Sequence, residues 1–153
     1  MAKLIEDPQT KARRNSWGAW ALLLALLLAS AVLVYSARHW SAPERAKRLA
    51  NPVPATPAAI AAGREIYQAH CQRCHGASGD GKGQRASELA VAPSDFTNAQ
   101  EMSEKTDGEL FWKITKGRLP MPAFESKLTD QERWEAVDYI RTFAKNPASA
   151  PAP

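Results

Sequence analysis

One short stretch of the chain, His70–Gly76, has residue types and a spacing that could do redox chemistry. It contains both cysteines of the chain in a single C-x-x-C-H, formed by Cys71, Cys74 and His75. Two thiols separated by two residues on a tight turn can each add to one vinyl group of a porphyrin, and the histidine that follows then lies beneath the iron as proximal ligand. The motif therefore predicts one covalently attached haem c.

Three other uses of closely spaced cysteines compete with haem attachment. A thioredoxin-like dithiol follows a strand in a βαβ unit, and no such alternation is present in this sequence. A zinc site needs four ligands, but His70 and His75 each adjoin a cysteine and His39 lies far upstream. A structural disulfide between the two cysteines is the third alternative. Haem attachment is preferred because C-x-x-C-H is a named attachment motif.

The elements that must position this motif begin with a long apolar stretch near the N-terminus. Residues 17 to 37 form a run of 21 residues without a charge, rich in leucine, and at about 1.5 Å per residue such a run crosses a bilayer core of about 30 Å. Aromatic anchors stand at its two ends: Trp17, Trp20, Tyr35 and Trp40. The pattern predicts a transmembrane helix over residues 17–38, preceded over residues 1–16 by a polar cytoplasmic tail with little structure of its own.

A cleaved signal peptide is the alternative for this stretch. Leu22 to Leu28 could form its apolar core, and Ala29-Ser30-Ala31 fits the small-x-small cleavage pattern. The apolar run continues past that site to Tyr35, which favours an uncleaved anchor.

The net charge of +4 lies on the flanks of the apolar stretch. Residues 1–52 hold 8 Lys/Arg and 3 Asp/Glu, a balance of +5, whereas residues 53–153 hold 12 and 13, a balance of −1. A nucleic-acid-binding surface needs its excess of positive charge on the folded domain. No nucleic-acid partner is therefore expected.

The rest of the chain reads as a proline-rich linker followed by a small helical domain. Residues 39–56 form the predicted linker. Within it, residues 41–56 predict an extended, semi-rigid spacer of up to about 50 Å at about 3.1 Å per residue, shorter where Glu44 to Leu49 turns helical. The first predicted helix spans residues 58–69 and follows the N-cap pair Thr56-Pro57. The second spans residues 107–116, with a capping box that begins at Thr106 and a terminal Gly117. The third spans residues 130–145 and follows a capping box that begins at Thr129. We expect the apolar face of the last helix to pack on the Gly63 face of the first. The glycine-rich residues 76–96 predict a loop, and residues 146–153 a disordered tail.

A methionine between two prolines is the second chemically interesting feature. The flanking prolines of Pro120-Met121-Pro122 restrict the backbone, which would hold a flexible thioether in one orientation. A lone methionine is more often core filler, but an iron with a free sixth position changes that balance. Met102 is the rival sixth ligand and lacks the prolines.

Together these features resemble a class I cytochrome c domain over residues 57–145. The resemblance is carried by Gly63 and Tyr67 on the first helix, by Cys71-x-x-Cys74-His75, by the proline-flanked Met121, and by Trp134 and Tyr139 on the last helix. It implies an all-α haem domain of about three to five helices and an iron ligated by His75 and Met121. In the family a proline carbonyl accepts a hydrogen bond from the proximal imidazole, and Pro93 is the best match here.

The resemblance also implies a function. A membrane-tethered carrier of single electrons is the leading hypothesis, with the bilayer and redox proteins as partners and no small-molecule substrate. A subunit of a larger membrane oxidoreductase, such as alternative complex III or a terminal oxidase, is the alternative. A gas-binding or peroxidatic haem protein would require that Met121 does not bind the iron.

Location and docking follow from the same resemblance. Four basic residues precede the apolar stretch and four follow it, so charge does not orient it. Haem is attached to c-type cytochromes outside the cytoplasmic membrane, which implies a cytoplasmic N-terminus and a periplasmic haem domain in a bacterial membrane. A basic docking ring is one hypothesis for the exposed haem edge, and dispersed solvated cations are the other; the residues concerned are Arg73, Lys82, Lys116 and Arg118.

Overall fold

The computed structural model describes residues 8–38 and 40–145, which divide into two compact units after Ser41. The described residues form seven α-helices, one turn of 3₁₀ helix and no β-strand, so the all-α prediction is confirmed. The helices are α1 (Pro8–Arg38), α2 (Glu44–Lys47), α3 (Pro57–His70), α4 (Gln72–His75), α5 (Ala99–Ser103), α6 (Asp107–Lys116) and α7 (Asp130–Lys145), with the 3₁₀ turn at Ala86–Glu88.

Helix α1 belongs to the first unit. Its stretch Trp17–Tyr35 has a mean hydropathy of 2.3 and exposed side chains. The stretch is long and apolar enough to cross a membrane, and signal sequences also have this length and composition. The helix begins at Pro8, so residues 8–16 are helical where the sequence predicted a tail with little structure. Residues 1–7 lie outside the described residues.

Two helices that are far apart in sequence, α3 and α7, form the centre of the second unit. A Cβ on Gly63 would overlap the carbonyl oxygen of Glu135, so the two helix backbones touch at this point, as predicted. Tyr67 and Val137 on their facing sides are completely buried. Each large apolar side chain withdrawn from water in this way contributes roughly 1.5–3 kcal/mol. This pairing fixes the end of α3, and therefore the start of the cysteine motif.

The helix ends follow the local sequence signals. Thr56 accepts a hydrogen bond from the Ala59 amide at 3.2 Å, and Thr106 accepts one from the Glu109 amide at 3.1 Å. Thr129 and Glu132 form the reciprocal capping box, with the Thr129 amide donating to the Glu132 carboxylate at 2.7 Å. Side-chain oxygens at these positions satisfy amides that have no partner within the helix. The three predicted long helices are confirmed.

The start of the second unit differs from the predicted linker. Ala42 and Ala46 are 3% and 4% exposed, and a Cβ on Gly108 would overlap the carbonyl oxygen of Ala46. The Asn51 side-chain amide donates to the Asp138 carboxylate at 2.7 Å. Residues 42 to 51 are therefore packed on α6 and α7 rather than extended. The prolines do restrict the backbone here, but small alanines opposite a glycine allow a close approach that proline content does not reveal.

Candidate haem-attachment site

The cysteine motif forms a single helical turn directly after α3. The Cys71 amide still donates to the Tyr67 carbonyl at 2.8 Å, and the amides of Cys74 and His75 then donate to the Cys71 carbonyl at 3.1 and 2.9 Å. Cys71 and Cys74 are both free thiols and half-buried. Two thiols and an imidazole are thus presented by one rigid turn, which is the arrangement that attachment to a porphyrin requires.

The electrostatics of the Cys71 thiol do not suit a redox-active dithiol. Burial, followed by the neighbouring Cys74 thiol, raises the pKa of the Cys71 thiol to about 12. An attacking dithiol needs a lowered pKa so that the thiolate is populated. In the part of the chain that the structure describes, no group of three or more His, Cys, Asp or Glu side chains could hold a metal ion, so a zinc site gains no support.

The imidazole of His75 is held so that one nitrogen is left for a metal. Its Nδ1 lies 3.3 Å from the Ser94 carbonyl oxygen. Because a carbonyl can only accept, Nδ1 carries the proton and Nε2 carries the lone pair. No described residue hydrogen-bonds to Nε2. Burial lowers the pKa of His75, against a smaller opposing effect of the Ser94 hydrogen bond, so the neutral ligand form is favoured.

The carbonyl that meets the imidazole is that of Ser94, not of Pro93 as the family resemblance implied. The Pro93 carbonyl instead faces Gly81, where an added Cβ would lie 2.7 Å from it. The Phe96 amide donates to the Gly79 carbonyl at 2.7 Å and so sets the register of this segment. Any residue offers a carbonyl, so residue type could not identify the acceptor and the prediction was wrong by one position.

A glycine-rich loop, Gly76–Phe96, wraps around the motif. The amides of Gly81 and Gly83 donate to the carbonyls of His75 and Cys74 at 2.9 and 3.1 Å. Gly81 has a φ of 74°, which is in the left-handed region that side chains disfavour. The loop therefore follows the motif backbone closely, as the run of glycines predicted.

Two aromatic residues support the motif in ways that the sequence did not indicate. The Tyr67 hydroxyl, completely buried, donates to the Gly76 carbonyl at 2.8 Å, immediately after His75. The Phe96 ring stacks on the His75 imidazole with ring centroids 4.6 Å apart and planes 17° apart. A tyrosine on the otherwise apolar face of α3 was the available signal for the first contact. The second contact had no local signal.

The two candidate sixth ligands lie in different surroundings. Met121 closes a tight turn in which the Arg118 amide donates to the Met121 carbonyl at 3.0 Å and the Met121 amide donates to the Arg118 carbonyl at 2.8 Å. Met121 is half-buried and packs against the edge of the core. Met102 is 2% exposed inside the core, and its carbonyl accepts a hydrogen bond from Arg141 at 2.6 Å. Met121 is thus the more accessible thioether, and its ligation stays a prediction.

The surface around the motif gives limited support to a basic docking ring. Lys116 Nζ lies 2.8 Å from both carboxylate oxygens of Glu125, which offsets its charge. Arg73 and Lys82 are exposed. His70 is also exposed, with its ring 5.8 Å from that of Phe124.

Comparisons with known proteins identify relatives of the second unit. Residues 58–140 match the family described as cytochrome c oxidase, cbb3-type, subunit III. Cytochrome c6 from Euglena viridis is 27% identical over 90 residues, which cover 56% of this chain and 93% of that protein.

Solved structures give similar matches. The Kuenenia stuttgartiensis reducing HAO-like protein complex Kustc0457/Kustc0458 contains a chain with 31% identity and a TM-score of 0.53, over 60% of this chain and 46% of that one. This chain therefore spans less than half of that relative. The c-type cytochrome KustC0563 is 28% identical with a TM-score of 0.48, over 53% of this chain and 95% of that one.

Proposed function

The chain belongs to the cytochrome c family matched over residues 58–140, and from this membership we propose that it is a membrane-tethered electron-transfer protein with His75 and Met121 on its haem iron. The membership itself makes it a class I cytochrome c with covalently bound haem c, for which Cys71 and Cys74 are placed in the C-x-x-C-H motif. The bound haem supplies an iron that gains and loses one electron without exchanging atoms.

The single observation that carries the proposal is the state of His75. Its Nδ1–H is taken by Ser94, and Nε2 keeps a lone pair without a described hydrogen-bond partner. In a metal-bound histidine, a hydrogen bond from the ring nitrogen that does not bind the metal fixes the tautomer and orientation of the imidazole and increases its basicity. His75 therefore enters the site in the form that an iron ligand needs.

Met121 is the proposed second axial ligand. Its turn, closed by two backbone hydrogen bonds, limits the positions that the flexible thioether can reach. With Met121 as a second ligand, the iron would have no free position for a substrate, which suits a carrier of electrons rather than an enzyme. Methionine ligation also raises the reduction potential.

Membrane attachment is proposed through α1. The stretch Trp17–Tyr35 has the length and hydropathy of a single membrane span. Covalent haem attachment to cytochromes of this type on the outer side of the membrane supports a cytoplasmic N-terminus and a periplasmic haem domain. Alkaline carbonate extraction tests the anchor: the chain is expected to stay in the membrane pellet, and N-terminal sequencing that begins near Val32 would show cleavage instead.

A second candidate function is that of an integral subunit of a larger redox complex. The matching family is described as an oxidase subunit, and one similar structure is a protein complex. These names belong to the relatives, and they support an assembly of this chain with redox partners. Purification in mild detergent separates the two functions, because a subunit travels with its partners in fixed ratio and a carrier travels alone.

The ligation is tested with Met121→Ala in the full-length, haem-loaded chain. We expect loss of the sulfur-to-iron charge-transfer band of the oxidised protein, a lower reduction potential, and new binding of carbon monoxide to the reduced protein. Met102→Leu is the matched control and should keep the band. Loss of the band in Met102→Leu alone would assign the ligand to Met102.

A further inference from the structure

The Phe96 side chain is the strongest feature of the site that the proposed function leaves unused. Its ring lies against the His75 imidazole with centroids 4.6 Å apart and an angle of 17° between the planes. Aromatic rings at this separation and angle are in offset-stacking range, where each ring opposes the tilting of the other. The contact therefore restricts the orientation of the imidazole in addition to filling space.

The hydrogen bond to Ser94 cannot orient the imidazole by itself. It holds the ring at one atom, Nδ1, at 3.3 Å from the carbonyl oxygen. The broad angular preference of a carbonyl acceptor still permits the ring to rock about that atom. A flat partner against the face of the ring removes this freedom, and Phe96 provides that partner.

Phe96 can fulfil this task because it is itself immobilised. Its amide donates to the Gly79 carbonyl at 2.7 Å, and its side chain is 7% exposed. Its ring meets Tyr67 edge-on at 6.5 Å and lies nearly parallel to Phe143 at 6.5 Å. The backbone and two neighbouring rings thus fix Phe96 before it contacts His75.

We propose that Phe96 is a positioning residue that sets the plane of the His75 imidazole as an iron ligand. The inference rests on the proposed function, since it requires that His75 binds the iron. With haem bound, a fixed imidazole plane would tune the iron through its ligand and would restrain the ligand during electron transfer. Phe96 acts through His75 and does not touch the iron.

The test uses the full-length, haem-loaded chain in detergent with four proteins: unaltered, Phe96→Leu, Phe96→Tyr and Phe111→Leu. Phe111→Leu is the matched control, because Phe111 is a partly buried ring that stacks on Trp134 at 4.0 Å and has no ring contact with Phe96 or His75 among the described residues. The readouts are the g values of the oxidised protein by electron paramagnetic resonance and the proton shifts of its haem methyl groups. Both report the orientation of the axial imidazole.

We expect Phe96→Leu to shift the g values and reorder the haem methyl resonances, and Phe96→Tyr to keep the pattern of the unaltered chain. Phe111→Leu should also keep it, although both leucine variants lose an aromatic ring. Unchanged spectra in Phe96→Leu, equal changes in both leucine variants, or equal loss of haem from both would overturn the inference. If the unaltered chain bound no haem at all, the proposed function would fail and this inference with it.

Discussion

The segments that present the two proposed axial ligands are constructed differently. His75 is the last residue of α4 and directly precedes the glycine-rich loop of residues 76–96, and a buried hydroxyl, a carbonyl and an aromatic ring hold this ligand and its backbone. Met121 lies in the turn Arg118–Met121, where Leu119 is 89% exposed and the turn is closed by its own backbone.

This difference teaches which side of the site depends on the core. On the His75 side, the position of the ligand follows from contacts with residues of α3, α7 and the loop. Substitutions there should therefore destabilise the whole unit. On the Met121 side, the turn is closed by backbone hydrogen bonds, so the fold should tolerate changes of its exposed side chains. Three substitutions test this contrast, from the largest expected effect to the smallest.

Gly79→Ala should be the most damaging change, because it affects the His75 side at a crowded point. Gly79 has a φ of 73°, and a Cβ there would lie 2.7 Å from the Phe143 ring. Left-handed backbone and overpacking together predict a loss of about 3 kcal/mol in the free energy of unfolding. Chemical denaturation followed by tryptophan fluorescence measures it. Gly18→Ala, with nothing within 4 Å of the added Cβ, is the control and should leave this value unchanged.

Tyr67→Phe removes only the hydroxyl that donates to the Gly76 carbonyl. The carbonyl keeps the Gly79 amide as a donor at 3.2 Å, so the loss of the hydroxyl predicts a cost of about 1 kcal/mol. Tyr139→Phe is the matched control, since its hydroxyl makes no hydrogen bond to a described residue. Equal stabilities of the two variants in the same denaturation experiment would contradict the assigned role of Tyr67.

Leu119→Ser on the Met121 turn should have the smallest effect. An exposed side chain away from any cap or core contact changes the free energy of unfolding by no more than about 0.5 kcal/mol. The spectrum of the haem-loaded protein should also stay the same. Leu110→Ala, at a position 5% exposed on α6, provides the contrast and should cost about 2–5 kcal/mol. A large loss in Leu119→Ser would mean that the turn is part of the core.

The predictions from sequence succeeded where the signal was local. Thr56, Thr106 and Thr129 each cap the helix that they were predicted to begin. Close packing at Gly63 was also foreseen, because a small residue on an apolar helix face invites a second helix. The packed residues 42 to 51 were missed, since proline content indicates backbone shape but not whether a segment finds a partner.

The sequence by itself determined the haem-attachment motif, the apolar N-terminal stretch and the ends of the long helices, because each depends on residues within a few positions of one another. Only the tertiary structure decided that Ser94 rather than Pro93 meets His75 and that Phe96 stacks on it. These contacts join residues about twenty positions apart, 19 for the hydrogen bond. Their register is set by the path of the intervening loop and its packing on α3 and α7, which no local pattern encodes.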